Sequence, residues 1–226
     1  MSLDIVREAQ KLQTTYLDDP RQSSFNLLLL GESGSGKTFL TRTGRKPIHV
    51  DSFDPGGTRS TEMREMVQKG DMVIDSRWEY EDPHKPTVYS EWKSTLKARI
   101  ASGYFNHFGT YVLDSSTTWS KAIMNWQLKR EGRAGESPQF TRDYTPQKVE
   151  IENMIYLMMS LPCDFILTGH LEMTKDEITG KVKMRYMTTG KGAVIIPLLF
   201  SEMWVMTTKE PSKGVSYHIL TQRTGQ

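Results

Sequence analysis

Gly31, Gly36, Lys37 and Thr38 fall at the spacing G-x-x-x-x-G-K-[ST] inside the stretch "FNLLLLGESGSGKTFLTR". Glycines at such positions let backbone N–H groups turn inward around an anion, and a helix starting at the lysine adds positive potential. Phe25 to Leu30 reads as a buried strand, and Lys37 to Arg42 as a short helix cut off by Gly44. A loop between such a strand and such a helix is suited to the phosphates of a nucleoside triphosphate. The expected binding set is Gly31, Ser33, Gly34, Ser35, Gly36, Lys37 and Thr38. Within it, Lys37 bridges the β- and γ-phosphates and the Thr38 hydroxyl ligates Mg²⁺.

Carboxylates and a histidine stand at the ends of other predicted strands. Asp114 follows the apolar "YVL"; it suits the magnesium shell, or else caps the helix that Ser115, Ser116 and Thr117 begin. Asp51 and Asp54 flank the end of the strand after the first helix. A carboxylate there could orient an attacking water, although "DPGG" is also ordinary turn chemistry. His170 ends "DFILTG", where it could sense a γ-phosphate or sit as a satisfied core histidine.

The elements that must hold these residues alternate along the chain. A helix is expected over residues 3–16, strands near 25–30, 48–51, 72–75 and 111–113, and helices near 59–68 and 91–101. A helix through Ile123, Trp126 and Leu128 is expected to dissolve into "KREGRAGESPQFTRDYTPQ", the longest predicted loop. "KVEIENMIYLMMSLP" reads as a helix with a methionine-rich core face, "DFILTGHLE" as a strand, and "MTKDEITGKVKMRYMTTGKG" as a loop or a hairpin turning at Thr179-Gly180. "SEMWVMTT" and "VSYHILTQ" alternate as two closing strands. Strands separated by helices predict an α/β fold with a mainly parallel sheet and an antiparallel C-terminal addition.

At 226 residues, with 37% hydrophobic and 25% charged residues, the chain suits one such domain: a helix and linker over 1–24, then a core over 25–226. Cys163 is the only cysteine, so no disulfide forms within the chain and a reducing, intracellular setting fits. No apolar run is long enough for a membrane span, and the N-terminus has no signal-peptide core. A formal charge of +2 announces no nucleic-acid binder, yet residues 178–192 carry four basic side chains and no acid. Lys181, Lys183 and Arg185 share one face there by the two-residue period. Arg133 belongs to a second, diluted basic loop. Such cations contact a phosphate backbone or simply form a solvated face.

The pieces "GESGSGKT", "HVDSFDPGG", "YVLDSSTTW", "DYTPQKVEIENMIYLMMSLPCDFILTGHLE" and "YHILTQRTG", in that order, resemble a RecA-like P-loop ATPase core. In particular the chain is similar to the short, single-domain bacteriophage ATPases that assist single-strand annealing and recombination. The resemblance implies hydrolysis of ATP with Mg²⁺, with Lys37, Asp54 and His170 as the catalytic set and Asp114 with Thr38 at the metal. It implies single-stranded DNA as partner at Lys181, Lys183, Arg185 and Arg133, with DNA-stimulated turnover. It further implies a head-to-tail ring or filament in which Arg223 reaches a neighbour's nucleotide, a single-strand-binding protein as a further partner, and the cytoplasm of an infected bacterial host. Phe53 stands where a strict RecA alignment would want the carboxylate, so Asp54 requires a one-residue shift. Two other readings are a phosphotransferase acting on a nucleotide or polynucleotide end, with "KREGRAGESPQFTR" as its lid, and a non-catalytic nucleotide switch that binds a protein partner.

Overall fold

Four consecutive leucines, Leu27 to Leu30, offer water neither face, and such a strand is stable only at the centre of a sheet covered on both sides. The computed structural model describes residues 2–19, 23–175, 182–188, 192–209 and 214–221. It places this run in β1 (Asn26–Gly31), with each of the four leucines at most 2% exposed. Each contributes roughly 1.5–3 kcal/mol by leaving water.

Ahead of it, α1 (Ser2–Leu17) carries Ile5, Leu12 and Tyr16 exposed on its surface. After it come α2 (Lys37–Thr41), β2 (Ile48–Ser52), α3 (Thr61–Gln68), β3 (Met72–Asp75) and α4 (Val88–Ala101). Then follow a 3₁₀ turn (Tyr104–His107), β4 (Thr110–Asp114), α5 (Ser116–Arg130), α6 (Phe140–Met159) and β5 (Asp164–Lys175). β6 (Val182–Tyr186), α7 (Gly192–Leu199), β7 (Glu202–Lys209) and β8 (Ser216–Leu220) complete the described chain. The sheet order is β3-β2-β4-β5-β1-β7-β8, with β6 attached to β5. All pairs from β3 across to β7 are parallel; β7 with β8 and β5 with β6 are antiparallel. The expected mainly parallel α/β sheet with its antiparallel C-terminal addition is therefore the fold.

Alternation along the strands sorts the core into two layers. Leu28, Leu30, Tyr111, Leu113, Phe165 and Leu167 face α4, α5 and α6 and pack on Trp92, Trp119, Ile155 and Met158. Leu27, Leu29, Val50, Val112 and Ile166 form the opposite layer with Met63 of α3. Cys163 is buried, and burial pushes its thiol up to about 12. Among the described residues no helix is long and apolar enough to cross a membrane.

Three segments depart from the expected pattern. The loop expected over 129–147 is shorter, because α6 already begins at Phe140 and holds Pro146 inside it. Its start is fixed by a local bond and a tertiary one: Gln139 N donates to Asp143 Oδ2 at 2.6 Å, and Gln127 Nε2 of α5 donates to the Asp143 carbonyl at 3.0 Å. These outweigh the one helical hydrogen bond that proline forgoes. β5 does not end at His170 but runs on to Lys175 and pairs with β6, so of the two forms expected for the segment after His170 the hairpin is present, with the expected turn at Thr179-Gly180 outside the described residues. α7, for which the sequence suggested no element, is an apolar octet with Pro197 inside it.

Asp51, at the C-terminal end of β2, turns away from solvent and into the core. Its Oδ1 accepts from Trp78 Nε1 (3.3 Å) and Arg99 Nη1 (3.0 Å) and lies 3.0 Å from His49 Nε2. Its Oδ2 accepts from Trp92 Nε1 and Tyr111 Oη, both at 2.8 Å. Burial alone would push this carboxyl up, but the hydrogen bonds and positive charge around it leave it lowered. Asp75 beside it behaves alike: burial raises it, while Arg77 and Arg99 prevail and hold it at about 2. Removing Asp51 leaves the Arg99 guanidinium with Asp75 as its remaining carboxylate partner and orphans three buried donors, Trp78 Nε1, Trp92 Nε1 and Tyr111 Oη. Asp51→Ala is expected to lower the unfolding free energy by about 3–5 kcal/mol in urea titrations; a loss below about 1 kcal/mol would show that the network does not hold this edge of the sheet.

Candidate active site

The chain must turn sharply where β1 ends. A Cβ on Gly31 would lie 2.4 Å from Ser35 Oγ and 2.8 Å from the Met206 carbonyl oxygen. Gly34 and Gly36 sit at φ +77° and +88°, where only glycine rests without strain. Lys37, the first residue of α2, is buried, and its Nζ donates to the carbonyl oxygens of Gly31 (2.9 Å) and Glu32 (2.7 Å). Burial lowers the pKa of this ammonium, while the carboxylates of Asp114, Asp54 and Glu32 oppose the shift. The buried Ser35 hydroxyl has no hydrogen-bond partner among the described residues. An ammonium turned onto the loop's own carbonyls, an unpartnered buried hydroxyl and glycines demanded by close packing at Gly31 and by positive φ at Gly34 and Gly36 fit a polyphosphate.

The metal candidates meet. Thr38 Oγ1 donates to Asp114 Oδ2 at 2.7 Å, and Thr168 of β5 donates to Asp114 Oδ1. Burial pushes the Asp114 carboxyl up, and the neighbouring Asp54 charge pushes the same way against Thr168, Thr38 and Lys37. A hydroxyl and a carboxylate at this separation fit Mg²⁺, which takes one or two protein oxygens and completes its shell with phosphates and water. The Asp114–Ser115 peptide is cis.

Asp54 joins them, through the one-residue shift that the sequence required. Phe53 and Asp54 both donate their backbone N–H to the Asp114 carbonyl, at 2.5 and 3.2 Å. The Phe53 ring then packs into the core with its centroid 5.6 Å from that of Trp92, which leaves Asp54 facing the site. Asp54 Oδ1 accepts from Ser115 Oγ at 2.9 Å and from Thr118 Oγ1. Its Oδ2 lies 3.9 Å from His170 Nε2. His170 pairs in register with Gly31, which sets it beside the start of the phosphate loop. Burial and the Lys37 charge lower its pKa, so the imidazole is neutral near pH 7. Asp51, the other aspartate considered for water activation, belongs to the core network instead.

Glu79 was not singled out by the sequence, where it is one acid among several in "SRWEYEDPHK". Its buried carboxylate accepts from Ser52 Oγ (3.0 Å), Gly56 N (3.3 Å) and Arg59 Nη2 (3.0 Å), and so braces the loop that carries Asp54. Thr117 was likewise unsuspected beyond helix capping, and Thr118 was not singled out. Ser115 does occupy the N-cap of α5 but makes no side-chain cap bond, its hydroxyl being directed to Asp54.

The DNA candidates separate. Arg133 pairs with Asp143 and with Glu131 (3.1 Å), and its side chain is only 12% exposed. It is an internal brace for α6, so the structure withdraws it from the basic surface. Lys183 and Arg185 lie on β6, opposite Thr174 and Glu172. Lys181 and Arg223 lie outside the described residues. Tyr186 is buried and donates to Ser116 Oγ at 2.6 Å, so it belongs to the core rather than to the basic surface.

A glycine loop after a central strand, a lysine and threonine opening the next helix, and a carboxylate two strands away define a P-loop nucleoside triphosphatase. The chain belongs to the AAA domain family AAA_24, whose model matches residues 24–226. It is a P-loop ATPase with a RecA-like core. Among solved structures it is similar to a KaiC-like protein from Pyrococcus horikoshii OT3, with 14% identity over 88% of this chain and 80% of that one, at a TM-score of 0.48. It is also similar to a prototypical ATPase from the type III secretion system of pathogenic bacteria, with 16% identity and a TM-score of 0.51. The match covers 81% of this chain and 51% of that ATPase, so the chain spans about half its length. The ATPase EscN of enteropathogenic E. coli, solved with its central stalk EscO, is 15% identical over 81% of this chain and 42% of its own, at a TM-score of 0.48. At 16% identity, the likeness to the type III secretion system ATPase speaks for the fold alone. No curated protein matches the chain in sequence.

Lys37→Ala is expected to abolish ATP turnover and to raise the Kd for ATP·Mg²⁺ by at least about tenfold, through loss of charge-assisted phosphate bonds. Wild-type turnover by this variant, measured as phosphate release, would remove the loop from the reaction.

Proposed function

We propose that the chain hydrolyses ATP with Mg²⁺ and couples the nucleotide state to its grip on single-stranded DNA. The backbone of Gly31 to Thr38 with Lys37 holds the phosphates, and Thr38 with Asp114 holds the metal. The metal supplies charge neutralisation of the phosphate oxygens. Asp54 Oδ2 orients the attacking water, and His170 reads the γ-phosphate. The reaction is water positioning and electrostatic stabilisation, with no covalent intermediate.

The observation that carries this reading is the continuity of β5. His170 stands beside Gly31 and near Asp54, and the next residue, Leu171, opens the antiparallel pairing with β6. The β6 arm of this hairpin belongs to the segment 178–192, with its four basic residues and no acid, while Glu172 stands opposite Arg185 on the β5 arm. Met187 N donates to the His170 carbonyl at 2.8 Å, so the far end of β6 also returns to the sensor. A shift at His170 on γ-phosphate release is thereby carried along one strand into the basic hairpin. Association into a ring or filament is part of the reading, with Arg223 reaching a neighbour's nucleotide; the exposed apolar residues of α1 support it.

Single-stranded DNA is expected to stimulate ATP hydrolysis at low salt, with the stimulation fading as salt rises. Replacing Lys181, Lys183 and Arg185 by alanine together should weaken DNA binding at every sequence and flatten the salt slope by up to roughly 0.7 per lost contact. An unchanged slope, or hydrolysis indifferent to DNA at low salt, would contradict the DNA role and direct attention to a protein partner.

A further inference from the structure

The N-cap and first turn of α5 present four consecutive hydroxyls, Ser115, Ser116, Thr117 and Thr118, which between them meet three groups around the site. Ser115 and Thr118 donate to Asp54 Oδ1, and Ser116 accepts from Tyr186 Oη of the hairpin. Thr117 Oγ1 lies 3.3 Å from the backbone N of His170 and 3.2 Å from its Nδ1. We propose that Thr117 is a positioning residue that fixes the tautomer of His170, with Nδ1 as acceptor and the proton on Nε2.

The argument is one of hydrogen-bond valence. A threonine hydroxyl has one proton and two lone pairs, and a backbone N–H can only donate. Thr117 Oγ1 therefore accepts from His170 N, and its own proton is available to Nδ1. A neutral imidazole that accepts at Nδ1 carries its hydrogen at Nε2. Nε2 is the nitrogen that faces Asp54 Oδ2 at 3.9 Å. A donor facing a carboxylate is the favourable arrangement, whereas the other tautomer would oppose two lone pairs. The Asp54 contact favours this form, and Thr117 supports it by donating to Nδ1 while it accepts from His170 N. Because Ser115 and Thr118 occupy Asp54 Oδ1, Oδ2 is the oxygen left for water and for the His170 donor. One helical turn thus aligns the water-positioning carboxylate and the phosphate sensor with each other. An Nε2–H donor suits a γ-phosphate oxygen, which can only accept.

This inference rests on His170 acting as the γ-phosphate sensor, and two readouts separate the two ideas. Nitrogen-15 NMR of the histidine-labelled protein at pH 8, with His170 assigned by its loss in His170→Ala, reads the tautomer directly. Nδ1 is expected to give the signal of an unprotonated ring nitrogen and Nε2 that of a protonated one, and Thr117→Val should shift that balance. A protonated Nδ1 in the wild-type protein, or no change in Thr117→Val, overturns the proposal. In steady-state ATP hydrolysis, Thr117→Val should lower kcat about tenfold, the scale of one hydrogen bond of ordinary worth, with KM within about twofold. Thr117→Ser keeps the hydroxyl and should restore kcat. In the His170→Ala background the valine should cost nothing further, as expected for two residues acting as one unit. Fully additive losses would contradict action through His170. Full-rate turnover by His170→Ala, alongside the expected tautomer signals in the wild-type protein, would overturn the sensor role and leave the tautomer assignment standing.

Discussion

A carboxylate almost wholly removed from water at the end of β4 governs this site. Asp114 is 1% exposed. A buried charge is expensive unless its lone pairs are occupied and an opposite charge is near. The fold meets both conditions by inserting β5 between β1 and β4. Period-two alternation puts Thr168 and His170 on one face of β5, where Thr168 reaches Asp114 and His170 reaches toward Asp54. β1 delivers Lys37 and Thr38 from the other side. Two carboxylates and one buried ammonium leave an electronegative pocket beside a loop of inward-facing amides, a field matched to a divalent cation carried with phosphates.

Much of this was legible in the chain, and the reasons it was legible are local. The phosphate loop is a run of contiguous residues whose types follow from backbone geometry, and the leucine run before it admits only a central strand. Asp114 was found because it ends another apolar run. Asp51 and Asp54 were harder, since both are aspartates near a strand end. Their separation is decided by the face on which Phe53 packs: Asp51 shares that face and goes into the core, while Asp54 is left to the site.

What the sequence concealed depends on contacts distant in the chain. Arg133 looks like a loop cation until Asp143, ten residues on, pairs with it, and the same aspartate starts a helix through a proline that reads as a breaker. Glu79 comes into position only because β3 lies next to β2, and nothing in "RWEYED" distinguishes it. Thr117 and Thr118 carry ordinary capping chemistry, and their partners lie on β5 and in the loop after β2. Long-range pairing of polar groups has no periodicity, so neither hydrophobic pattern nor motif spacing reports it.

The central claim is that Asp54 positions the water while Lys37, Thr38 and Asp114 bind the nucleotide. Asp54→Asn keeps the shape and removes the charge. The most direct measurement is single-turnover hydrolysis of ATP by this variant beside its equilibrium affinity for ATP·Mg²⁺. The account predicts affinity within a few-fold of wild type and a rate lower by about 10²-fold or more. Hydrolysis at the wild-type rate with binding intact would contradict it.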